Sequence, residues 1–199
     1  WVNNGLIASD GDMQLSLGGT YSGVGRVSSL GRLSLKAASV SLPDAGRITG
    51  GGSTDISAGS IINRGRMTSN DDLLLNTSSL NNYGTLGSAQ DLTVNAAQLL
   101  NDKGLIFSGA GMQLRSDTLK NNYADIYSLG DLTISRNAAG ARADVIENIS
   151  GTLESAGDMR LLATSITNRK DELTYTQQRV NGYITHSCSH CSDEWNVWY

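Results

Sequence analysis

The most reactive side chains of this 199-residue chain lie close together near its C-terminus. Cys188 and Cys191 are the only cysteines, and His186 and His190, the only histidines, accompany them. The Cys-x-x-Cys spacing is compatible with a disulfide, a metal site, a thiol redox pair or free thiols. A structural zinc site generally joins two separated ligand pairs, and this segment supplies one. A redox pair generally lies at a helix start in an α/β fold, which the sequence does not predict.

Carboxylates recur at one position of an internal repeat, at Asp12, Asp72, Asp91, Asp131 and Asp158. If the repeats stack, these side chains line one edge of a rod, where they would bind Ca²⁺ or assist sugar cleavage. Aspartate is also an ordinary turn residue, and the calcium-binding nonapeptide Gly-Gly-x-Gly-x-Asp is absent. We interpret the row as solvated turn residues and keep a polysaccharide-binding or polysaccharide-cleaving β-helix as the alternative. No histidine lies among the repeats, so they contain no Ser/His/Asp triad.

The repeat is marked by glycines about 20 residues apart. They are Gly5, Gly25, Gly46, Gly65, Gly84, Gly104 and Gly151, with Ala124 replacing one of them. The interval before the last glycine is longer, and residues 136–144 are predicted to form a loop that bulges from one coil. Repetition at this period is typical of solenoids, whose units bury their apolar faces only by stacking.

Each unit carries apolar residues at three stations. The first holds Ile7, Val27, Ile48, Met67, Leu86, Ile106, Ile126 and Leu153. The second is a pair two residues apart: Met13/Leu15, Leu33/Leu35, Ile56/Ala58, Leu73/Leu75, Leu92/Val94, Met112/Leu114, Leu132/Ile134 and Met159/Leu161. The third holds Val40, Ile61, Leu80, Leu99, Leu119, Ile146 and Ile166. A spacing of two places side chains on one face of a strand.

These patterns predict an all-β fold: a parallel β-helix solenoid of about eight coils over residues 1–170. Asparagines at the unit starts suit turns and are expected to form hydrogen-bonded ladders when stacked: Asn63, Asn81, Asn101, Asn121, Asn148 and Asn168. Serines suit tight corners: Ser9, Ser29, Ser69, Ser88, Ser108, Ser128 and Ser155. Residues 171–199 are predicted to form a C-terminal β-hairpin and cap, because Asn181-Gly182 separates two strand-like runs.

Charge and hydropathy exclude two classes of partner at the level of sequence. No stretch of the chain clusters lysine and arginine, which disfavours nucleic-acid binding. The longest apolar runs, such as residues 73–75, are too short to cross a bilayer, so no membrane-spanning segment is predicted.

The unit Asn-x-x-Gly-x-Ile-x-Ser-x-x-x-Leu-x-Leu resembles the filamentous haemagglutinin repeat, over about residues 3 to 170. The phrases at residues 11–15, 130–134 and 157–161 are especially similar, whereas residues 50–53 depart from the pattern. The resemblance implies a right-handed β-helix and export through an outer-membrane two-partner secretion transporter. It also implies a secreted or cell-surface location in a Gram-negative bacterium. In that oxidising setting a Cys188–Cys191 disulfide is favoured.

The function expected from this resemblance is structural. The chain would be a segment of a larger exported adhesin or contact-dependent growth inhibition toxin carrier, with adjacent repeats of the parent chain as partners. It would have no catalytic residue, metal or cofactor. Aromatic residues crowd the C-terminal end and form a candidate binding surface for a target-cell receptor: Tyr175, Tyr183, Trp195, Trp198 and Tyr199. They are also suited to covering the last open coil, which we favour because repeat arrays need caps.

Overall fold

The computed structural model describes residues 1–171 and, further on, the backbone of two short strands. Over these residues the chain is all β and contains no helix. It winds through eight stacked coils, and the strands of successive coils run parallel. The predicted β-solenoid of about eight coils is confirmed. In the described part of the chain no helix is long and apolar enough to span a membrane.

The first sheet has one four-residue strand from every coil. Its members, in spatial order, are β1 (Leu6–Ser9), β4 (Arg26–Ser29), β6 (Arg47–Gly50), β8 (Arg66–Ser69), β10 (Thr85–Ser88), β12 (Leu105–Ser108), β15 (Asp125–Ser128) and β18 (Thr152–Ser155). At a strand spacing of about 4.8 Å, β1 and β18 lie about 34 Å apart.

The second sheet has twelve strands and covers the other two faces of the coils. In coils two to five one long strand covers both faces: β5 (Leu33–Leu42), β7 (Thr54–Asn63), β9 (Leu73–Asn82) and β11 (Leu92–Asp102). In the other coils it is divided into β2 (Met13–Ser16) and β3 (Thr20–Ser22), β13 (Met112–Arg115) and β14 (Thr118–Asn122), β16 (Leu132–Ser135) and β17 (Ala143–Ile149), and β19 (Met159–Leu161) and β20 (Ala163–Arg169).

The apolar stations stack into continuous columns between the sheets. The strand register pairs Ile7 with Val27, Val27 with Ile48, and so on through Leu153. The third station also stacks in register, and Tyr21 heads its column. In the middle coils these side chains are almost completely excluded from water. The predicted dry core is therefore confirmed for the first and third stations.

The prediction for the second station is wrong in the third coil. Thr54 and Ile56, and not Ile56 and Ala58, lie in register with the leucine pairs of the neighbouring coils. The unusual glycines before Thr54 obscured the register. The Thr54 hydroxyl lies 2.0 Å from where a Cβ at Gly50 would stand, so it fills the space that a side chain would otherwise take in the corner.

Two further predicted features lie near the C-terminal end. Residues 136–142 form the predicted loop, which ends two residues earlier than expected because β17 begins at Ala143. Within the loop the Gly140 amide donates to the Asn137 carbonyl oxygen at 3.0 Å. The strands β21 (Gln178–Val180) and β22 (Tyr183–Thr185) pair antiparallel, in agreement with the predicted hairpin. The rest of the predicted hairpin and cap lies outside the described residues.

Candidate functional site

A chain of carboxamides, buried in every coil except the last, runs along the solenoid at the corner before the first sheet. Each Nδ2 group donates to the Oδ1 atom of the next coil: Asn63 to Asn82 (2.7 Å), Asn82 to Asn101 (2.8 Å), Asn101 to Asn121 (2.8 Å), Asn121 to Asn148 (2.8 Å) and Asn148 to Asn168 (2.9 Å). Most of these amides also donate to a backbone carbonyl in the corner, as Asn121 does to Ala124 at 2.7 Å. The ladder thus satisfies polar groups that water does not reach.

One predicted rung of this ladder is wrong. Asn82, and not Asn81, stands in register with Asn63 and Asn101. The error arises because corners differ in length by one residue: one residue separates Asn82 from Gly84, whereas two separate Asn101 from Gly104. In the longer corners a residue takes a left-handed conformation: Lys103 (φ 54°), Tyr123 (φ 47°) and Ser150 (φ 48°).

The ladder begins at Asn63 because the preceding coil has no amide to join it. Leu42 stands in register with Asn63, and its side chain carries no donor. The Asn63 Oδ1 atom is accordingly buried without a hydrogen-bond partner. This rung is therefore weaker than the interior ones, where the oxygen and the nitrogen are both used.

Serines occupy the opposite corner, as predicted. Ser29 and Ser88 each donate their hydroxyl to the backbone carbonyl two residues later, at 2.9 Å. Ser108 donates its hydroxyl to the Ala110 carbonyl oxygen at 3.0 Å, and its Oγ atom lies 3.0 Å from the Ser128 hydroxyl in the next coil. Contacts of this kind stabilise the tight turn after the strand of the first sheet, which explains a serine at this station in seven of the eight coils; β6 ends in Gly50 instead.

The row of aspartates has a role in joining the coils. Asp12 Oδ1 accepts the Arg32 amide at 2.8 Å, and Asp91 Oδ1 accepts the Gly111 amide at 2.8 Å. Asp131 makes the same contact with the Asp158 amide at 2.9 Å. One oxygen of these carboxylates therefore bridges to the backbone of the following coil. This geometry agrees with the interpretation as turn residues.

The first sheet carries a basic row that sequence reasoning missed. Arg26, Arg47 and Arg66 are register partners in three successive strands, β4, β6 and β8. Their side chains point outward, since the residues that follow them, at the first apolar station, are buried. The arginines lie 21 and 19 residues apart in the chain, so no local cluster reveals them. We define these three residues as the arginine row.

The pKa values of titratable groups are shifted at two places, by hydrogen bonding at one and by burial at the other. The pKa of Asp171 is lowered, chiefly because the Tyr123 hydroxyl donates to it and also because Arg169 donates at 2.7 Å. The same contact with Asp171 raises the pKa of Tyr123. Tyr21 is completely buried at the head of its column, and this burial raises its pKa.

Most of the C-terminal residues predicted to have a function lie outside the described residues. Cys188, Cys191 and four of the aromatic residues are outside the described residues: Tyr175, Trp195, Trp198 and Tyr199. Tyr183 begins strand β22, of which only the backbone is described. Within residues 1–171, no three His, Cys, Asp or Glu side chains come together in a way that could hold a metal ion.

The haemagglutinin repeat family matches the chain in three overlapping stretches, residues 2–82, 68–140 and 130–178. The chain belongs to the haemagglutinin repeat family. The filamentous haemagglutinin resemblance of the repeat unit is thereby confirmed. The family match extends beyond residue 170, where the repeat pattern was expected to end.

A curated relative of this haemagglutinin repeat chain is the deoxyribonuclease CdiA of Dickeya dadantii (strain 3937). The two are 29% identical over 162 residues, which is 80% of the chain. The chain spans only 4% of the length of that relative. No solved structure matches the chain.

Proposed function

We propose that the chain is a shaft segment of a large exported adhesin or contact-dependent growth inhibition toxin carrier. The observation that carries this proposal is the unbroken register of the first sheet, in which every strand pairs residue for residue with the next. Each further coil of the same cross-section lengthens the rod without widening it. Such a rod holds modules of the parent protein away from the cell that displays it.

Membership of the haemagglutinin repeat family and the likeness to a segment of a much longer relative support this role. The immediate partners would be adjacent repeats of the same parent chain, and the secretion route would use an outer-membrane two-partner transporter. The proposed location is the surface of a Gram-negative bacterium or the surrounding medium. A polysaccharide-cleaving activity is less well supported, because several of the carboxylates that would carry it bridge to backbone amides.

The shaft role predicts that coils can be added without changing the rod's width. Residues 64–82 form one complete coil, and tandem copies placed between Asn82 and Tyr83 preserve every Asn-x-Gly corner. Ten copies should lengthen the particle by about 48 Å at an unchanged cross-section, as measured by small-angle X-ray scattering. A Gly/Ser insert of equal length is the control, since it should form a loop. An insert of coils that widens the particle, or leaves its length unchanged, would contradict the shaft role.

Direct contact with a target cell is a separate part of the proposal and is assigned to the C-terminal aromatic residues. Replacing Trp195 and Trp198 by alanine in the parent protein should reduce attachment to target cells, because such side chains often dominate binding energy. Surface display of the parent protein, measured with an antibody to the shaft, should not change. Unaltered attachment would limit these tryptophans to covering the end of the solenoid.

A further inference from the structure

Four cations within residues 1–171 pair with carboxylates, and the arginine row is not among them. Arg32, Arg136 and Arg169 each form an ion pair, as does Lys120 with Glu147. Within residues 1–171, none of the three arginines of the row lies within salt-bridge distance of a carboxylate. Since register partners of a parallel sheet are about 4.8 Å apart, the row places three like charges side by side. Like charges at this spacing repel, and a bound anion would remove the penalty.

The geometry of the row suits an extended ligand. Arg26 and Arg66 are exposed, and Arg47 is held half-buried because its Nη1 group donates to the Asp44 and Gly46 carbonyl oxygens, at 2.8 and 2.9 Å. The middle guanidinium is therefore anchored to the corner. The three strands are neighbours in one sheet, so the backbone positions of the three arginines lie side by side across the strands.

The hydroxyl side chains beside the arginine row indicate the chemistry of the ligand. Ser28, Thr49 and Thr68 lie two residues after the arginines and face the same side of the sheet, and we call these three residues the hydroxyl column. Hydroxyl groups donate and accept hydrogen bonds, which matches the hydroxyls of a sugar. A guanidinium matches a carboxylate through two parallel hydrogen bonds. Single-stranded nucleic acid would need aromatic side chains for base stacking, and the hydroxyl column beside the three arginines has none. The aromatic residues at the same strand position, Phe107 and Tyr127, lie further along the sheet, in β12 and β15.

We propose that the arginine row and its hydroxyl column bind a linear polyuronate, a polysaccharide with a carboxylate on each sugar. Successive carboxylates pair with Arg26, Arg47 and Arg66, and sugar hydroxyls contact the neighbouring serine and threonines. This site lies on the first sheet and is independent of the aspartate row. It also goes beyond the shaft role, because it would let the side of the rod hold an acidic glycan coat.

The test is the affinity of the purified chain for fluorescently labelled oligogalacturonate, measured by anisotropy at low ionic strength. The triple variant Arg26→Gln, Arg47→Gln, Arg66→Gln should raise Kd at least about tenfold, since each exposed contact contributes modestly. The control variant Arg115→Gln, Arg142→Gln, Arg160→Gln removes the same net charge outside the row and should change Kd less than about twofold. Binding should weaken as salt screens the charges.

Equal losses in the two triple variants would overturn the proposal, as would a row variant that binds like the unmodified chain. Single-stranded DNA of equal charge that binds as tightly, and through the same arginines, would overturn the assignment to a glycan. Phenylglyoxal labelling of the unmodified chain provides a test that does not depend on folding of a variant. Oligogalacturonate should protect Arg26, Arg47 and Arg66 more than Arg142 and Arg160, and uniform labelling would refute the site.

Discussion

Replacing Asn101 by alanine removes an interior rung from the buried amide ladder. Asn101 accepts a hydrogen bond from Asn82 and donates to Asn121, both at 2.8 Å, and it also donates to the Asp125 carbonyl oxygen at 3.1 Å. The residue is completely buried, so water does not replace these contacts without opening the coil. The variant therefore tests whether the ladder stabilises the shaft.

The expected loss follows from these contacts. Three hydrogen bonds at a net value of about 1 kcal/mol each are removed. The Asn121 Oδ1 atom is also left buried without its donor from the ladder, which costs about 1–3 kcal/mol more. We expect the free energy of unfolding to fall by about 4–6 kcal/mol. Asn63→Ala should cost less, because the Oδ1 atom of Asn63 already has no partner.

Urea unfolding followed by far-ultraviolet circular dichroism measures this loss, with free energies from linear extrapolation. Asn95→Ala is a matched control, since Asn95 lies on the same strand β11 and joins a similar ladder. It donates to Asn76 at 2.8 Å, but its side chain is only half-buried, so water can replace that contact. We expect a loss below about 1 kcal/mol at Asn95. Equal losses of stability in the two variants would show that burial does not make the Asn101 hydrogen bonds more stabilising than the half-buried contact of Asn95.

Two further predictions concern the corners and the first coils. A Cβ at Gly84 would lie 2.2 Å from the Gly65 carbonyl oxygen, so Gly84→Ala should lower the free energy of unfolding by about 2 kcal/mol. At Gly11 nothing lies within 4 Å of a Cβ, and Gly11→Ala should melt within a few degrees of the unmodified chain; similar melting of both variants would argue against a close corner. Burial raises the pKa of Tyr21 in the folded state. The buried neutral phenol therefore stabilises the fold fully below about pH 10, the pKa of an unfolded tyrosine, and this stabilisation is lost as the pH rises through the folded pKa. Tyr21→Phe should therefore lose less stability over that alkaline range, and its absorbance titration should lack the phenolate step of the buried tyrosine; an unchanged titration would contradict this.

Much of the core was predictable because every coil of a solenoid repeats the same local arrangement of strands and turns. The first apolar station was assigned correctly in all eight coils, from Ile7 to Leu153. Strand alternation decides which side chains face inward, and the glycine period decides where each coil begins. Both signals lie within about 20 residues of sequence, so no long-range information was needed.

The errors occurred where coils differ in the number of corner residues. Asn81 and Asn82 are equally good turn residues, and only the pairing of β9 with its neighbours selects Asn82 for the ladder. In the third coil, extra glycines allowed Thr54 to take the place expected for Ile56. A corner can contain one residue more or fewer by changing its backbone conformation, and this changes the register without changing the apolar pattern.

By itself, the sequence determined the parallel coil architecture, the buried apolar columns and the turn chemistry, because these depend on neighbours along one coil. Only the tertiary structure decided which residues of different coils stand side by side. The register joined the amides into one continuous ladder and brought Arg26, Arg47 and Arg66 into a single row. Inter-strand hydrogen bonds set that alignment, and their partners are about one full turn of the solenoid apart in the chain.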